Sequence, residues 1–297
     1  MRRALSGLAL AGIVVLIGGA VATRPQPLAD DALIDLTPDA GQGAVIYAAA
    51  GCASCHAAAD GPANVLSGGK AFVSAFGTFH APNISQDADQ GIGGWSDLQI
   101  ANAITQGVGA DGAHLYPAFP YTAYHKAELQ DVVDLIAHLR TLPADPTPSQ
   151  PHDLGFPFNI RAGLGLWKAL YLKDGWVLAE APSPEVTRGR YLAEALGHCG
   201  ECHTPRDALG GLDRGAWLSG APNPSGKGRI PNITPGGLSW SEGEIAEYLS
   251  SGFTPDFDTA GGAMAEVVKN TAQLPDTDRA AIAAYLKAVP AVADPPS

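Results

Sequence analysis

Cysteine, methionine and basic residues are all scarce in this chain of 297 residues. It contains 4 Cys, 2 Met, and 18 Lys and Arg against 30 Asp and Glu, which gives a formal net charge of −12. The acidic balance argues against binding of nucleic acid, whose phosphates are neutralised by Lys and Arg. The length allows roughly two domains of about 100–150 residues each, and the ordinary apolar fraction of 46% allows each domain a buried core.

The few cysteines all fall in two copies of one motif, CASCH at 52–56 and CGECH at 199–203. C-x-x-C-H is the attachment signature of haem c, in which two thiols bond one haem edge and the adjacent His binds iron. A thioredoxin-like site gives that His no role. Structural zinc pairs lie about 12–20 residues apart, whereas these motifs lie 147 apart (199 − 52). The predicted attachment residues are Cys52, Cys55, Cys199 and Cys202, and the predicted fifth iron ligands are His56 and His203.

An internal repeat extends this pair of motifs to a pair of domains. Four landmarks recur at offsets of 149, 145, 145 and 147 residues: Asn83 with Asn232, Trp95 with Trp240, Gly107 with Gly252, and Pro143 with Pro290. Such a near-constant offset indicates duplication. We therefore predict a first haem domain at 38–143 and a second at 184–291, joined by a proline-rich linker at 144–183.

Helical signals are repeated in each half, whereas the glycine-rich stretches between them show no sheet pattern. The fold class is therefore predicted to be all-α. The predicted helices are Asp39–Ala50 and Ser183–Leu196 before the haem motifs, middle helices that begin at Ser96 and Ser241 and end at Gly107 and Gly252, and closing helices at Ala127–Thr141 and Pro275–Ala288.

The sixth iron ligands are predicted to differ between the halves. Met264, the one methionine beyond the initiator, lies in the loop before the second closing helix, where a thioether ligand would raise the haem potential. The equivalent position of the first half is Phe119, and phenylalanine cannot bind iron. Three alternatives are open there: His114 as the ligand, which we favour, His125 as the ligand, or an open or water-bound iron. All three alternatives predict that the two haems have different potentials, because their sixth ligands differ.

Two other features allow more than one interpretation. The repeated Asn83 and Asn232 are predicted either to donate hydrogen bonds to haem propionates or to hold loop backbone. The linker stretch 152–178 is rich in large apolar residues. We interpret it as interdomain core, with coverage of a haem edge, docking of a dehydrogenase and contact with a membrane as alternatives.

The N-terminus predicts export. Arg2 and Arg3 precede an uncharged apolar run of about 19 residues, just long enough to span a bilayer. Residues 20–22 also form an A-x-A cleavage signature. We favour an uncleaved anchor over a cleaved signal within residues 1–24. Both alternatives place residues 30–297 outside the cytoplasm, on the periplasmic side of a bacterial inner membrane.

Five stretches carry a resemblance to a known family: GTFHAPNI at 77–84, GIGGWS at 91–96, LYPAFPY at 115–121, PNITP at 231–235 and MAEVV at 264–268. They resemble the membrane-anchored multihaem cytochrome c subunits of bacterial periplasmic dehydrogenases, such as the alcohol and gluconate dehydrogenase cytochromes. The resemblance implies two class I cytochrome c folds in tandem. It also implies electrons received from a dehydrogenase subunit and passed to quinone, a soluble cytochrome c or a terminal oxidase.

Two departures from that family bear on function. Its members often carry three haem motifs, whereas this chain has two, and their first-domain loop often reads Tyr-Pro-Ala-Met-Pro-Tyr, with Met in the place of Phe119. The sequence therefore predicts a dihaem electron carrier or relay subunit rather than an enzyme. The alternative is a dihaem peroxidase that uses an open first haem, although the residues around Phe119 are apolar and offer no acid–base group.

Overall fold

The structure is a computed structural model that describes residues 18–19, 21, 23–58, 61–224, 226 and 228–294. The apolar run of residues 4–22, where the sequence predicts an anchor or signal segment, lies almost entirely outside the described residues. No helix within the described part of the chain is long and apolar enough to cross a membrane.

The first half begins with a helix that leads into the haem motif and ends with a helix that packs against it. Within the described residues its elements, in chain order, are α1 (Ala40–Ala50), α2 (Cys52–His56), β1 (Ala71–Ser74), β2 (Gly77–His80), α3 (Asp97–Gln106), α4 (Tyr121–Tyr124) and α5 (Leu129–Leu139). The linker adds β3 (Asp153–Leu154) and α6 (Leu164–Tyr171).

The second half repeats this order. Its elements are α7 (Pro184–Tyr191), a π-helical turn (Leu192–Leu196), α8 (Gly200–His203), β4 (Ala221–Pro222), β5 (Arg229–Ile230), α9 (Glu242–Ser251), α10 (Ala263–Thr271) and α11 (Asp276–Ala288). The prediction of a mainly helical chain is confirmed, and each predicted helix is present to within two residues at either end, with the π-helical turn completing the predicted helix Ser183–Leu196.

The middle helices show why the two halves fold alike. Ser96 accepts a hydrogen bond from the backbone of Gln99, whose side chain accepts one from the backbone of Ser96, and Ser241 forms the same capping box at the start of α9. Both helices end at a glycine in the left-handed region, Gly107 with φ 59° and Gly252 with φ 78°. These caps satisfy backbone groups that a helix end leaves unpaired.

Each half is closed by a helix crossing at a glycine. A Cβ atom on Gly43 of α1 would lie 1.9 Å from the carbonyl oxygen of Asp134 in α5. In the second half, a Cβ atom on Gly189 of α7 would lie 1.8 Å from the carbonyl oxygen of Ala281 in α11. Because neither gap accommodates a methyl group, glycine is what lets the two backbones touch.

The glycine-rich stretches do contain sheet, so the prediction that they lack it was wrong. Strands β1 and β2 form an antiparallel hairpin from the pair Ala71–His80 to the pair Ser74–Gly77, and β3 of the linker pairs with β2. In the second half, β4 and β5 form a shorter antiparallel pair. Strands of two to four residues are too short to produce a recognisable alternation of polar and apolar residues.

One hydrophobic core extends through both halves. It joins Ile46 and Ile136 of the first half to Leu192 and Tyr285 of the second. Polar contacts reinforce the junction, because the Tyr191 hydroxyl donates to the Asp131 carboxylate at 2.5 Å. The repeated halves are therefore packed together as one body.

The linker only partly matches its interpretation as interdomain core. Lys168 of α6 is buried against the end of α3, and Trp167 contacts Tyr171. Phe156 and Leu166, however, are 81% and 64% exposed. The apolar residues on the outer side of this segment are therefore not core residues.

Candidate haem sites

Both predicted fifth ligands are held in the same way. The Nδ1 atom of His56 donates a hydrogen bond to the carbonyl oxygen of Pro82 at 2.9 Å, and Nδ1 of His203 donates to the carbonyl oxygen of Pro231 at 2.8 Å. Since a carbonyl oxygen can only accept, the proton of each neutral ring is on Nδ1, and Nε2 presents its lone pair. Burial lowers the pKa of both rings, which also favours the neutral form that binds iron.

A second pair of backbone bonds fixes each motif on its loop. The backbone nitrogen of Gly68 donates to the His56 carbonyl at 2.8 Å, and that of Gly220 donates to the His203 carbonyl at 2.7 Å. Both glycines have positive φ, and a Cβ atom on Gly68 would lie 2.5 Å from the backbone of Pro82. The turn that carries the proline carbonyl can therefore approach the axial His only because glycine stands there.

No disulfide joins the cysteines of the two motifs. All four are unpaired in the structure. Burial is the largest cause that raises the pKa of Cys52 and of Cys199, each to about 12. Burial therefore keeps the Cys52 and Cys199 thiols protonated at neutral pH.

These residues fit a c-type haem. Each motif supplies two thiols and a neutral His whose Nε2 is available, and partly buried apolar side chains of the same half pack against the core. In the first half these are Ile84, Trp95 and Phe119, and in the second they are Ile233, Trp240 and Met264. When bound, haem supplies an iron that changes reversibly between the ferrous and ferric states.

The spacing of two β-bridges aligns Met264 with Phe119. An isolated β-bridge pairs Phe253 with Thr259 in the second half and Val108 with His114 in the first, both with an offset of 145 residues. Met264 follows at the start of α10, partly buried against the core. The equivalent Phe119 packs its ring 5.6 Å from that of Tyr124.

The two candidate histidines of the first half are differently placed. Both ring nitrogens of His125 are engaged, Nδ1 with the carbonyl of Thr105 at 2.9 Å and Nε2 with Asp174 at 2.7 Å. His114 is buried, and its Nε2 bonds the carbonyl of Thr23 at 2.8 Å. Its Nδ1 is buried without a hydrogen-bond partner among the described residues.

The repeated asparagines hold loop backbone, one of the two roles predicted for them. The side-chain amide of Asn83 donates to the carbonyls of Asp145 and Thr147, each at 2.8 Å. That of Asn232 donates to the carbonyl of Val292 at 2.8 Å and to Asp294. Each asparagine thus links the loop that contains Pro82 or Pro231 to the segment that follows the closing helix of its half.

The two haem motifs lie close to each other. The Asn270 side chain of α10 donates to the hydroxyl of Ser54, inside the first motif, at 2.7 Å. The pKa of the Cys202 thiol is raised by burial, then by the charge of Glu201, and to a smaller extent by Cys55 of the other motif. The helix that begins near Met264 therefore leads directly to the first motif, which in turn adjoins the second.

Sequence reasoning identified the side chains of these sites but missed the backbone groups. Pro82 and Pro231 stand directly before the repeated Asn83 and Asn232, but nothing in the sequence marks their carbonyls as partners of the axial histidines. Gly68 and Gly220 went unnoticed because they lie 152 residues apart, outside the range of the other offsets. The useful signal was the proline immediately before each repeated asparagine.

The geometry agrees with comparisons to known proteins. The model of the family described as cytochrome c matches residues 40–143 and again residues 186–290. The chain belongs to the cytochrome c family. It carries two c-type haems, and its role is to transfer electrons rather than to catalyse a reaction on a substrate of its own.

Proteins similar to this chain are also named as cytochromes or cytochrome subunits. The chain is 55% identical to a diheme cytochrome c-type protein of Cereibacter sphaeroides, over 98% of this chain and all of that protein. It is 40% identical to the fructose dehydrogenase cytochrome subunit of Gluconobacter japonicus, over 98% of this chain and 60% of that subunit. It is 33% identical to the gluconate 2-dehydrogenase cytochrome c subunit of Pantoea cypripedii, over 88% and 62%. The chain thus spans about three fifths of both dehydrogenase subunits.

Proposed function

We propose that this dihaem cytochrome is the electron-accepting subunit or relay of a membrane-bound dehydrogenase on the periplasmic side of the inner membrane. The observation that carries the proposal is the shared core that holds two complete axial-histidine sites beside each other. The relatives named as fructose and gluconate dehydrogenase cytochrome subunits support the nature of the partner. Onward acceptors are a soluble cytochrome c, quinone or a terminal oxidase.

The test is copurification from the membranes of a cell that expresses the tagged chain. A dehydrogenase subunit should copurify, and its substrate should reduce both haems in the complex. Isolation of the cytochrome from those membranes with no dehydrogenase subunit would contradict the proposal. The N-terminal apolar run is proposed as the anchor, and washing the membranes with high salt should leave the cytochrome bound.

The second haem is proposed to have His203 and Met264 as its axial ligands. For the first haem, we keep His114 as the proposed ligand, which would bind iron through Nδ1 because its Nε2 donates to the Thr23 carbonyl, with an open sixth position as the alternative. His125 is disfavoured because Asp174 and the Thr105 carbonyl already occupy its ring.

Spectra of the His114→Ala variant decide between these ligand sets. An open first haem predicts a high-spin signal that carbon monoxide changes, identical in wild type and variant. Ligation by His114 predicts two low-spin haems in wild type and one high-spin haem in the variant. The same samples test the peroxidase alternative, which requires turnover of added peroxide.

A further inference from the structure

The loop before Met264 is exposed in the second half, whereas its counterpart in the first half is covered. Val108 of the first half aligns with Phe253 of the second, because each begins the β-bridge of its half. Val108 is 5% exposed, whereas Phe253 is 55% exposed. Their bridge partners differ in the same way, since His114 is buried and Thr259 is exposed. The duplicated halves therefore differ in what covers the loop beside the sixth-ligand position.

Basic side chains of the linker cover the loop of the first half. Lys168 donates hydrogen bonds to the carbonyls of Gln106 and Gly107, at the carboxyl end of α3. Arg161 donates to the carbonyl of His114 at 2.9 Å. Carbonyls at the end of a helix carry partial negative charge, so cations are favoured beside them. The first half thus shows which chemistry suits a cover over this loop.

Acidic side chains surround the exposed loop of the second half. Between residues 230 and 268 the chain has six acidic residues and no basic residue. Asp256 and Asp258 are exposed in the loop itself, and Glu247 is exposed one turn before the end of α9. Lys269, the next cation along the chain, is already paired with Glu266 at 2.6 Å. The charge of these carboxylates adds to the partial negative charge at the carboxyl end of α9.

Phe257 is in the same loop, and the fold does not bury its side chain. It is 90% exposed, and its φ of 63° lies in the left-handed region, which bulky residues avoid. Its backbone nitrogen donates to the carbonyl of Thr254 at 2.9 Å, in the turn that follows Phe253. Aromatic side chains within a charged rim are typical of protein–protein contact surfaces. We call this surface the acidic face: Glu247, Phe253, Asp256, Phe257 and Asp258.

We propose that the acidic face docks the protein that accepts electrons from this cytochrome, and that the contact surface of this acceptor is rich in lysine and arginine. The proposal rests on the relay role proposed above. A basic side chain of the acceptor takes the position at the end of α9 that Lys168 has at the end of α3, and an apolar group of the acceptor packs on Phe257. The face lies in the half that contains Met264, whose haem is expected to have the higher potential, so electrons should leave from this half.

Stopped-flow electron transfer tests the proposal on the full-length holoprotein in detergent, reduced with dithionite, freed of excess reductant and without a dehydrogenase. The probe is an oxidised cytochrome c with a lysine-rich surface, each molecule of which takes up one electron. Asp256→Asn combined with Asp258→Asn should lower the second-order rate constant about tenfold at low ionic strength, because attraction between opposite charges accelerates association. The difference should disappear at about 1 M salt, where the screening length is about 3 Å. With the same probe after succinylation of its lysines, the double variant should instead react faster than the wild type.

Matched controls come from the exposed segment before α1. Asp30→Asn combined with Asp31→Asn removes the same charge from a surface of the first half and should leave the rate constant unchanged. Phe257→Asn should slow the reaction at both low and high salt, because Asn accepts the left-handed region and the variant loses only the apolar contact. Ile34→Asn, at a residue that is 78% exposed, should not slow it.

Equal rate constants for the two double variants would overturn the proposal, because the net charge alone would then steer the probe. A slower reaction of the Asp256 and Asp258 variant with the succinylated probe would overturn it as well. Glu247→Gln gives the same readout if the double variant fails to fold. Because dithionite supplies the electrons, these outcomes concern the acidic face alone, whereas copurification tests the dehydrogenase partner separately.

Discussion

At the scale of single residues, the two halves differ at one aligned pair of positions, where the second half has Met264 and the first has Phe119. A thioether ligand stabilises ferrous iron and raises the potential. The duplication that aligns the two positions is visible in the β-bridges before them, 145 residues apart. With Met264 as the proposed sixth ligand, we expect the second haem to have the higher potential, so electrons should pass towards it.

The Met264→Ala variant tests the ligand assignment. We expect the potential of the second haem to fall by on the order of 0.1 V, within the roughly 0.8 V range that axial ligands cover, while the first haem is unchanged. Spectroelectrochemical titration measures both potentials. Val267→Ala, on the exposed side of the same helix, is the control. Unchanged potentials in Met264→Ala would refute the assignment.

Lys168 joins the linker to the first domain through two backbone bonds. Its Nζ donates to the carbonyls of Gln106 at 2.7 Å and Gly107 at 2.8 Å, at the end of α3. The Lys168→Met variant leaves both buried carbonyls without this donor. We expect it to lower the free energy of unfolding by about 1–3 kcal/mol. Denaturant titration measures the change, and the exposed Lys173→Met should leave stability unaltered.

The same lysine predicts a pH dependence. Burial lowers the pKa of Lys168 from the ordinary lysine value of 10.5 to about 8. Between these values the unfolded chain binds more protons than the folded one, so the lysine favours folding increasingly as pH rises. The stability difference between wild type and Lys168→Met should therefore grow from pH 8 to pH 10. A difference that is constant over this range would contradict the assigned pKa.

At the scale of elements, the helix crossings limit which residues each half can accept where two helices touch. Gly189 stands where α7 touches α11, whereas Gly243 in the first turn of α9 has open space around its Cα. Gly189→Ala must separate the helices and should lower the free energy of unfolding by about 1–3 kcal/mol. Gly243→Ala should raise it by about 0.4–1 kcal/mol, because alanine restricts the unfolded chain. If thermal unfolding shows the same change in the free energy of unfolding for both variants, then α7 and α11 pack less closely than they do in the structure.

The helices were predictable because their signals are local. Ser96 with Gln99 and Ser241 with Glu244 encode capping boxes within four residues, and Gly107 and Gly252 encode the ends. The sheets were not predictable, because strands of two to four residues depend on partners elsewhere. For example, β3 in the linker pairs with β2 more than 70 residues earlier.

The haem sites likewise contain some groups that the sequence predicts and others that it does not. Cysteine, histidine and methionine carry chemistry in their side chains, so spacing was enough to predict Cys52, His56 and Met264 as site residues. The carbonyl oxygens of Pro82 and Pro231 could not be assigned from sequence, because every residue has a carbonyl and only the fold selects which one faces a ring. The exposure of Leu166 was equally unpredictable, because an apolar stretch looks the same in sequence whether or not the protein core covers it.

At the scale of the whole molecule, the shared core implies that the haem domains do not unfold independently. The core cluster includes α1, α5, α7 and α11 residues alike. The Tyr191 hydroxyl links the second half to the first. It donates a hydrogen bond to Asp131 and accepts one from the backbone nitrogen of Glu128 at 3.2 Å. Such a molecule should lose both haem environments in one transition.

Tyr191→Phe removes those two bonds and leaves the ring. A hydrogen bond to a charged group contributes about 1.5–3 kcal/mol, so the denaturant midpoint should fall. Because Asp131 is in the first half and Tyr191 in the second, the midpoint should fall equally for the absorbance of both haems. Tyr248→Phe, at a ring that packs on Trp240 within the second half, is the matched control. Separate midpoints for the two haems, in wild type or variant, would mean that the halves are coupled too weakly to hold the haem motifs at a fixed spacing.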